Sequence, residues 1–106
     1  MEKIYIAGKV SGEPYEETKL KFKKAQETIE KLGYEAVNPL EVVGTPDIDW
    51  EDAMKLCIKS LMDCRYLVAL DDWKKSTGAK LEVKLCKKVG IVIYDFEELE
   101  KFIARK

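Results

Sequence analysis

Four short segments rich in β-branched and aromatic residues alternate along this chain with segments of helical periodicity. The four segments cover residues 3–7, 34–39, 65–70 and 90–94. Helical crossovers between neighbouring strands require parallel pairing with right-handed connections. The alternation therefore predicts an α/β fold, a small flavodoxin-like three-layer sandwich with a parallel sheet of about four strands in the order 2-1-3-4.

Apolar residues at spacings of three and four predict the helices between these strands. The second helix is expected over residues 50–62, and the third, which follows Gly78, is expected to turn Leu81, Leu85 and Val89 toward the core. Gly44 and Pro46 indicate an irregular connection after the second strand.

The composition predicts one soluble domain over residues 1–106. Hydrophobic residues make up 46% of the chain and charged residues 37%, with a net charge of -1. This charge balance does not favour a nucleic acid polymer or an anionic membrane as partner. No apolar run approaches the roughly 18 residues of a membrane span, and the N-terminus has no signal-peptide pattern. The cytoplasm is the expected location.

The chain contains Cys57, Cys64 and Cys86 without CxxC spacing, and it contains no histidine. Neither a disulfide framework nor a metal site is predicted, and no cofactor motif is present. We expect three packed thiols. A catalytic acid, base or nucleophile must then be Asp, Glu, Tyr, Cys or Lys.

Two loops follow strands one and three, and the predicted strand order brings them together at the carboxyl ends of the strands. The first loop contains Gly8, Lys9, Ser11 and Gly12. Its backbone N–H groups and its hydroxyl are suited to a phosphate or a sugar. A turn that only requires flexible residues is the alternative.

The second loop places Ser76 and Gly78 at a helix N-terminus, which favours an anion. Ser76 or Thr77 as a simple N-cap is the alternative. Glu82 lies one turn further along, and its side chain leans back toward the same pocket. A solvated glutamate is the alternative for this position.

Asp71, Asp72 and Trp73 end strand three and begin the second loop. The two carboxylates are candidates for acid and base catalysis or for holding sugar hydroxyls, and capping of the loop backbone is the alternative. Trp73 is a candidate for stacking on a base, and cover for a hydrophobic edge is equally compatible with its position.

Several segments together resemble a known family. These are IYIAGKVSG near the start, NP at 38 and 39, MKLCIKSLMDC, and LDDWKKSTGAKLEVKLCKKVG. They look like the small DUF4406 proteins, which are similar to nucleoside 2-deoxyribosyltransferases and to 2'-deoxynucleoside 5'-monophosphate N-hydrolases. The most specific element is the run from Trp73 to Glu82.

The resemblance implies a role for each matching residue. Glu82 would attack the anomeric carbon and expel the base, and the glycosyl-enzyme would be opened by water or by another base. Residues 8–12 would surround the sugar and any 5' phosphate, and Tyr5 would border the site. Ser76 matches a phosphate-binding serine. Cys57, however, stands where the related enzymes carry an aspartate that helps to protonate the leaving base.

Three functions therefore remain open at the level of sequence. The first is cleavage or transfer at the N-glycosidic bond of a 2'-deoxynucleoside or its 5'-monophosphate through Glu82, with Asp71 or Asp72 as the acid. The second is a noncatalytic nucleotide-binding or sensor module, and the third is an interaction protein. Relatives in the superfamily assemble into dimers or larger oligomers, which implies a homo-oligomer here.

Overall fold

The computed structural model describes residues 2–104, and the surroundings of side chains for residues 2–101. Its strands are β1 (Lys3–Ala7), β2 (Glu35–Val37), β3 (Tyr66–Ala69) and β4 (Val92–Asp95). Its helices are α1 (Tyr15–Lys31), α2 (Pro39–Val43), α3 (Trp50–Leu61), α4 (Thr77–Val89) and α5 (Phe96–Ala104), with a 3-10 turn over Trp73–Lys75. Across the described part of the chain, no helix is both long and apolar enough to cross a membrane.

All four strands are parallel and follow the order β2-β1-β3-β4, which confirms the predicted sheet. β1 lies at the centre, where Tyr5 is opposite Val37 of β2 and Leu67 of β3. The loops that follow β1 and β3 therefore leave from the same edge of the sheet. This arrangement brings the glycine-containing loop beside the N-terminus of α4.

Side chains of β1 alternate between two hydrophobic clusters, one on each face of the sheet. Tyr5 and Ala7 belong to the cluster that contains residues of α3 and α4. Ile4 and Ile6 belong to the cluster that contains residues of α1 and α5. This period of two is the pleat of a strand that is buried on both faces. The predicted three-layer sandwich is thus confirmed.

The inward face of α4 differs from the predicted one. Leu81 and Val89 have exposed fractions of 38% and 56%, so the prediction that they face the core is wrong. The buried residues of this helix are Gly78, Ala79, Glu82, Val83 and Cys86. A Cβ at Gly78 would lie 3.0 Å from Met54 Sδ of α3. This close approach favours small residues on the inner side of the first turn.

Residues 39–43 form the short helix α2, whereas Pro39 was predicted to end the second strand and the residues after it to be irregular. Asn38 is its N-cap, and the Asn38 side chain accepts a hydrogen bond from Leu40 N at 3.0 Å. Pro39 occupies the first helical position, and Gly44 ends the helix with a φ of 80°. The sequence N-P-x-x-x-x-G thus contains an N-cap, a proline at the first helical position and a C-cap glycine. The same glycine and the nearby Pro46 had instead indicated an irregular connection.

Replacing Gly8 with alanine is expected to destabilise the fold. A Cβ at this position would lie 2.7 Å from Leu70 Cδ1 and 3.2 Å from Asp72 Oδ1, so packed neighbours must shift. We expect Gly8→Ala to lower the free energy of unfolding by about 1–3 kcal/mol in urea denaturation. Gly78→Ala is the matched control, because its new Cβ meets the flexible end of Met54 at 3.0 Å and Trp50 Nε1 at an ordinary contact distance of 3.8 Å. Equal losses in both variants would contradict this explanation.

Candidate active site

Glu82 and Tyr5 form a hydrogen bond inside the molecule. Tyr5 Oη donates to Glu82 Oε2 at 2.6 Å. The exposed fraction of Tyr5 is 0% and that of Glu82 is 5%. Tyr5 projects from the middle of β1, and Glu82 lies in the second turn of α4. The predicted inward orientation of Glu82 is therefore present, and the solvated alternative does not describe this residue.

Burial is the main cause of the pKa shifts of Glu82 and Tyr5. Removal from water raises the pKa of Glu82 from its ordinary value of 4.5 to about 7, and the hydrogen bond from Tyr5 partly opposes this rise. Burial and the neighbouring Glu82 carboxyl also raise the pKa of the Tyr5 phenol far above its ordinary value. Near neutral pH, Glu82 therefore exists both as a carboxylate and as a protonated acid, while Tyr5 keeps its proton.

Cys57 of α3 lies on the same side of the sheet as this pair. Its side chain is buried, and burial raises the pKa of the thiol, an effect that the neighbouring Tyr5 hydroxyl opposes and the Glu82 carboxyl reinforces. Cys57, Cys64 and Cys86 are all free and buried. Among the described residues, no group of three or more His, Cys, Asp or Glu side chains is placed to hold a metal ion.

Glu82, Tyr5 and Cys57 line a cavity of about 340 Å³. One wall comes from the loop after β1, which contributes Gly8, Ser11 and Gly12. The opposite wall is mostly apolar and comes from α2, α3 and the segment between them, with Leu40, Val43, Ile48, Trp50, Ala53 and Met54. A buried carboxyl group thus faces a cavity with one polar wall and one apolar wall.

A second cavity of about 450 Å³ adjoins the first at the N-terminus of α4. Ser11, Trp50, Ser76 and Gly78 line both cavities. Lys9 and Lys75 line only the second, as does Thr77. Ser76 is the N-cap of α4, because its Oγ accepts a hydrogen bond from Ala79 N at 3.1 Å. The Ser76 hydroxyl can still donate its own proton to an anion in this space.

Asp72 connects the two loops instead of lining a cavity. Its Oδ1 accepts a hydrogen bond from Lys9 N at 3.0 Å, and its Oδ2 accepts one from Lys21 Nζ at 2.6 Å. Partial burial acts to raise the pKa of Asp72, but these hydrogen bonds outweigh it, and the pKa is lowered. Lys21 Nζ also donates to Lys9 O at 2.8 Å. This network holds the loop after β1 against the loop after β3.

Asp71 and Trp73 also lie away from both cavities. Asp71 is exposed to solvent. Trp73 is partly buried against the hydrophobic cluster beneath α3 and α4, and Lys74 Nζ lies 5.7 Å from the centroid of its ring. Of the residues predicted for the site, the structure brings together Tyr5, Gly8, Ser11, Gly12, Ser76, Gly78 and Glu82 in the first cavity, with Lys9 in the second.

The residues of the apolar wall were not predicted as part of the site. Trp50 and Met54 lie in the helix that was predicted over residues 50–62 from its apolar spacing, and the segment before it, with Gly44 and Pro46, was predicted to be an irregular connection. In the structure Trp50 is exposed and lines both cavities, while Met54 lines the first. The helix signals of α2 could have revealed this wall. A helix that directly follows β2 lies at the carboxyl edge of the sheet, where the predicted site is located.

The raised pKa of Glu82 predicts that its charge destabilises the fold. Between pH 4.5 and about 7 the unfolded chain has released a proton that the folded chain retains, so stability falls as the pH rises through this window. The full penalty above it is about 3 kcal/mol. We expect Glu82→Gln, whose amide oxygen can accept the same bond from Tyr5, to raise the free energy of unfolding at about pH 8 and less so at about pH 5.

Urea denaturation at the two pH values measures this difference. Glu27→Gln is the matched control, because Glu27 lies on the exposed face of α1 and its replacement is expected to change stability by less than about 0.5 kcal/mol. A Glu82→Gln variant that is no more stable than the unsubstituted protein at the higher pH would contradict the burial of an ionisable carboxyl group.

Comparison with known proteins assigns this chain to a family. A search of curated proteins found no match. The family DUF4406, described as a domain of unknown function, matches residues 2–95. This range includes β1, both loops at the carboxyl edge of the sheet and the whole of α4. The chain therefore belongs to the DUF4406 family, in agreement with the resemblance found in the sequence.

Proposed function

We propose that this chain cleaves the N-glycosidic bond of a 2'-deoxynucleoside or of its 5'-monophosphate, with Glu82 as the nucleophile. The observation that carries the proposal is the position of Glu82, a buried carboxyl group that is hydrogen-bonded by Tyr5 and faces a cavity beside a helix N-terminus. The similarity of the run from Trp73 to Glu82 to nucleoside 2-deoxyribosyltransferases supports the same chemistry.

In the first step, Glu82 attacks C1' of the sugar. Tyr5 holds Oε2, whereas Oε1 accepts no hydrogen bond from the described residues and is available for the reaction. As the new C–O bond forms, the C1'–N bond breaks and its electron pair leaves with the base. A glycosyl-enzyme results, as in retaining glycosidases.

In the second step, an acceptor opens the glycosyl-enzyme. Water as the acceptor makes the protein a hydrolase, and a second base makes it a transferase. In either case the C1'–O bond to Glu82 breaks, and the electron pair returns to the carboxylate. The acceptor loses one proton and the departed base gains one, so no proton is released overall when the base is neutral. The buried Tyr5 hydroxyl then stabilises this carboxylate again, because hydrogen bonds to a charged acceptor are stronger than those to a neutral one.

The two adjoining cavities suit different parts of a nucleotide. The loop with Gly8, Ser11 and Gly12 permits close approach of a sugar to Glu82. A 5' phosphate suits the second cavity, where the N-terminus of α4 and the side chains of Lys9 and Lys75 supply positive charge. The apolar wall of α2 and α3 is then left for the base.

A nucleotide-binding module without turnover is the second candidate. The observation that favours it is Cys57, which lies at the cavity where the related enzymes carry an aspartate and whose pKa is raised by burial. Asp71 and Asp72 do not line the cavity and are not placed to supply the missing acid. Under this hypothesis a monophosphate binds in the same place but is released unchanged.

Release of free base from a panel of deoxynucleosides and their 5'-monophosphates tests the proposal. We expect chromatography to detect base release by the unsubstituted protein and a loss of at least about 1,000-fold with Glu82→Ala, because the nucleophile is removed. Glu27→Ala, on the exposed face of α1, is the control for unrelated effects. Saturable binding of a monophosphate without any release would establish the binding module instead.

The pH profile of the reaction tests the role of Glu82 separately. A nucleophile must be ionised, so we expect kcat/KM to rise with pH and to level off above the Glu82 pKa of about 7. Tyr5→Phe removes the hydrogen bond that lowers this pKa, and its profile should shift to higher pH. A rate that falls as the pH rises through 7 would indicate that Glu82 acts as an acid.

A further inference from the structure

Departure of a neutral base from a sugar requires the base to gain a proton. The electron pair of the broken C1'–N bond leaves negative charge on the ring, and an acid normally supplies a proton to it, with a gain of about 100- to 10,000-fold. A base that already carries a positive charge leaves as a neutral molecule and needs no acid. The proton donors around Glu82 therefore restrict the class of substrate.

The described residues around the first cavity provide no strong acid besides Glu82 itself. Burial raises the pKa of both Tyr5 and Cys57, which makes each of them a weaker proton donor than in water. Glu13 lines the cavity, but its carboxylate forms a salt bridge with Lys9 Nζ at 3.3 Å. The remaining proton-bearing groups are the hydroxyls of Tyr15, Ser11, Thr45 and Ser76 and the indole N–H of Trp50, and all of them are weak acids.

The charges of the two cavities differ in sign. Among the described residues that line the first cavity, the charged side chains are Glu13 and Glu82. Lys9 and Lys75 line the second cavity. Because Glu13 is paired with Lys9 Nζ, the ionised carboxylate of Glu82 is what suits the first cavity to a cation. Lys75 and the N-terminus of α4 suit the second cavity to an anion.

Aromatic side chains reinforce this preference. Trp50 and Tyr15 line the first cavity, and both are partly exposed. Lys19 Nζ already lies 5.4 Å from the centroid of the Tyr15 ring, so Trp50 is the aromatic side chain that can receive a cationic ligand. A cation over the face of such a ring is attracted by the negative charge of its π electrons. A flat, positively charged base is therefore complementary to the Glu82 carboxylate in charge and to Trp50 as an aromatic partner.

We propose that the substrate is a nucleotide whose base carries a permanent positive charge, such as an N-alkylated purine or a pyridinium. Because the proton balance matters only if Glu82 attacks C1', this proposal rests on the proposed function. It adds the chemical class of the leaving base. It also explains why the chain can have Cys57 at the position where the related enzymes carry an aspartate.

The reaction balances without an acid. Glu82 Oε1 bonds to C1' as the C1'–N bond breaks. The electron pair of the broken C1'–N bond stays on the base and neutralises the positive charge of its ring. Water then bonds to C1', the C1'–Oε1 bond breaks, and the pair returns to Glu82. One proton of the attacking water stays on the new hydroxyl group of the sugar, and the other enters the solvent. Each turnover consumes one water and releases one proton, whereas hydrolysis of a neutral base releases none.

Hydrolysis of 7-methyl-2'-deoxyguanosine 5'-monophosphate and of the unmethylated nucleotide tests the proposal. After subtraction of non-enzymatic release, we expect kcat/KM to be at least about 100-fold higher for the methylated nucleotide, because only the unmethylated base needs an acid. At a pH low enough for the methylated ring to keep its N1 proton, and with it a net positive charge, a pH-stat should record one proton per methylated base released. Equal rates, or faster release of unmethylated guanine, would overturn the proposal while leaving the proposed function intact.

Cys57→Asp supplies the missing acid. We expect this variant to accelerate release of unmethylated guanine by about 100-fold or more, with less than about a tenfold change for the methylated base. Cys57→Asn is the matched control, since its amide has a similar size but is not an acid. If the unsubstituted protein releases base from neither nucleotide, the proposed function and this inference are overturned together.

Binding provides a measurement that does not depend on the folding of a Cys57 variant. 1-Methylnicotinamide and nicotinamide differ by a methyl group and a positive charge, and neither contains a glycosidic bond. By calorimetry at about pH 8, we expect the cation to bind at least about tenfold more tightly, and Glu82→Gln to reduce this preference. Tighter binding of neutral nicotinamide would overturn the proposal even if the protein releases bases.

Discussion

The buried hydrogen bond between Tyr5 and Glu82 determines much of the surrounding structure. It joins the middle of the central strand β1 to the second turn of α4, at a distance of 2.6 Å between the two oxygens. A carboxyl group removed from water requires such a partner. With Glu82 directed inward, Ala79, Val83 and Cys86 occupy the inner side of α4, and Leu81 and Val89 are exposed. The rotation of the helix thus follows from a polar contact as well as from hydrophobic burial.

The walls of the site are held by a second polar network, which is centred on Asp72, a residue that lines neither cavity. Asp72 accepts hydrogen bonds from Lys9 N and Lys21 Nζ, so α1 and the loops after β1 and β3 are tied together. Gly8 allows the close approach of the first loop to Leu70. These contacts place Ser11 and Gly12 opposite α4 without requiring a ligand, which is the condition for a largely preformed site. Asp72 therefore acts on the site through the position of the loops.

The separation of charge between the two cavities is the feature with the greatest consequence for chemistry. The Glu82 carboxyl group lines the first cavity, Lys75 and the N-terminus of α4 border the second, and a salt bridge pairs Glu13 of the first lining with Lys9 of the second. The same burial that makes Glu82 unfavourable for stability raises its pKa into the range where a change of protonation is easy. The fold thus maintains a destabilised carboxyl group at a cavity, as is common at sites that carry out chemistry.

The sequence by itself determined the order of strands and helices, the parallel sheet and its strand order, because hydrophobic periodicity and the rules of strand connection are local or topological properties. It also identified Glu82, Ser76 and the loop from Gly8 to Gly12 at one edge of the sheet. Only the tertiary structure decided that Trp50 and Met54 form a wall of the site, that Asp72 ties two loops together, and that Glu82 is buried with a raised pKa. These properties depend on the rotation of helices and on contacts between residues far apart in the chain, which no local pattern records.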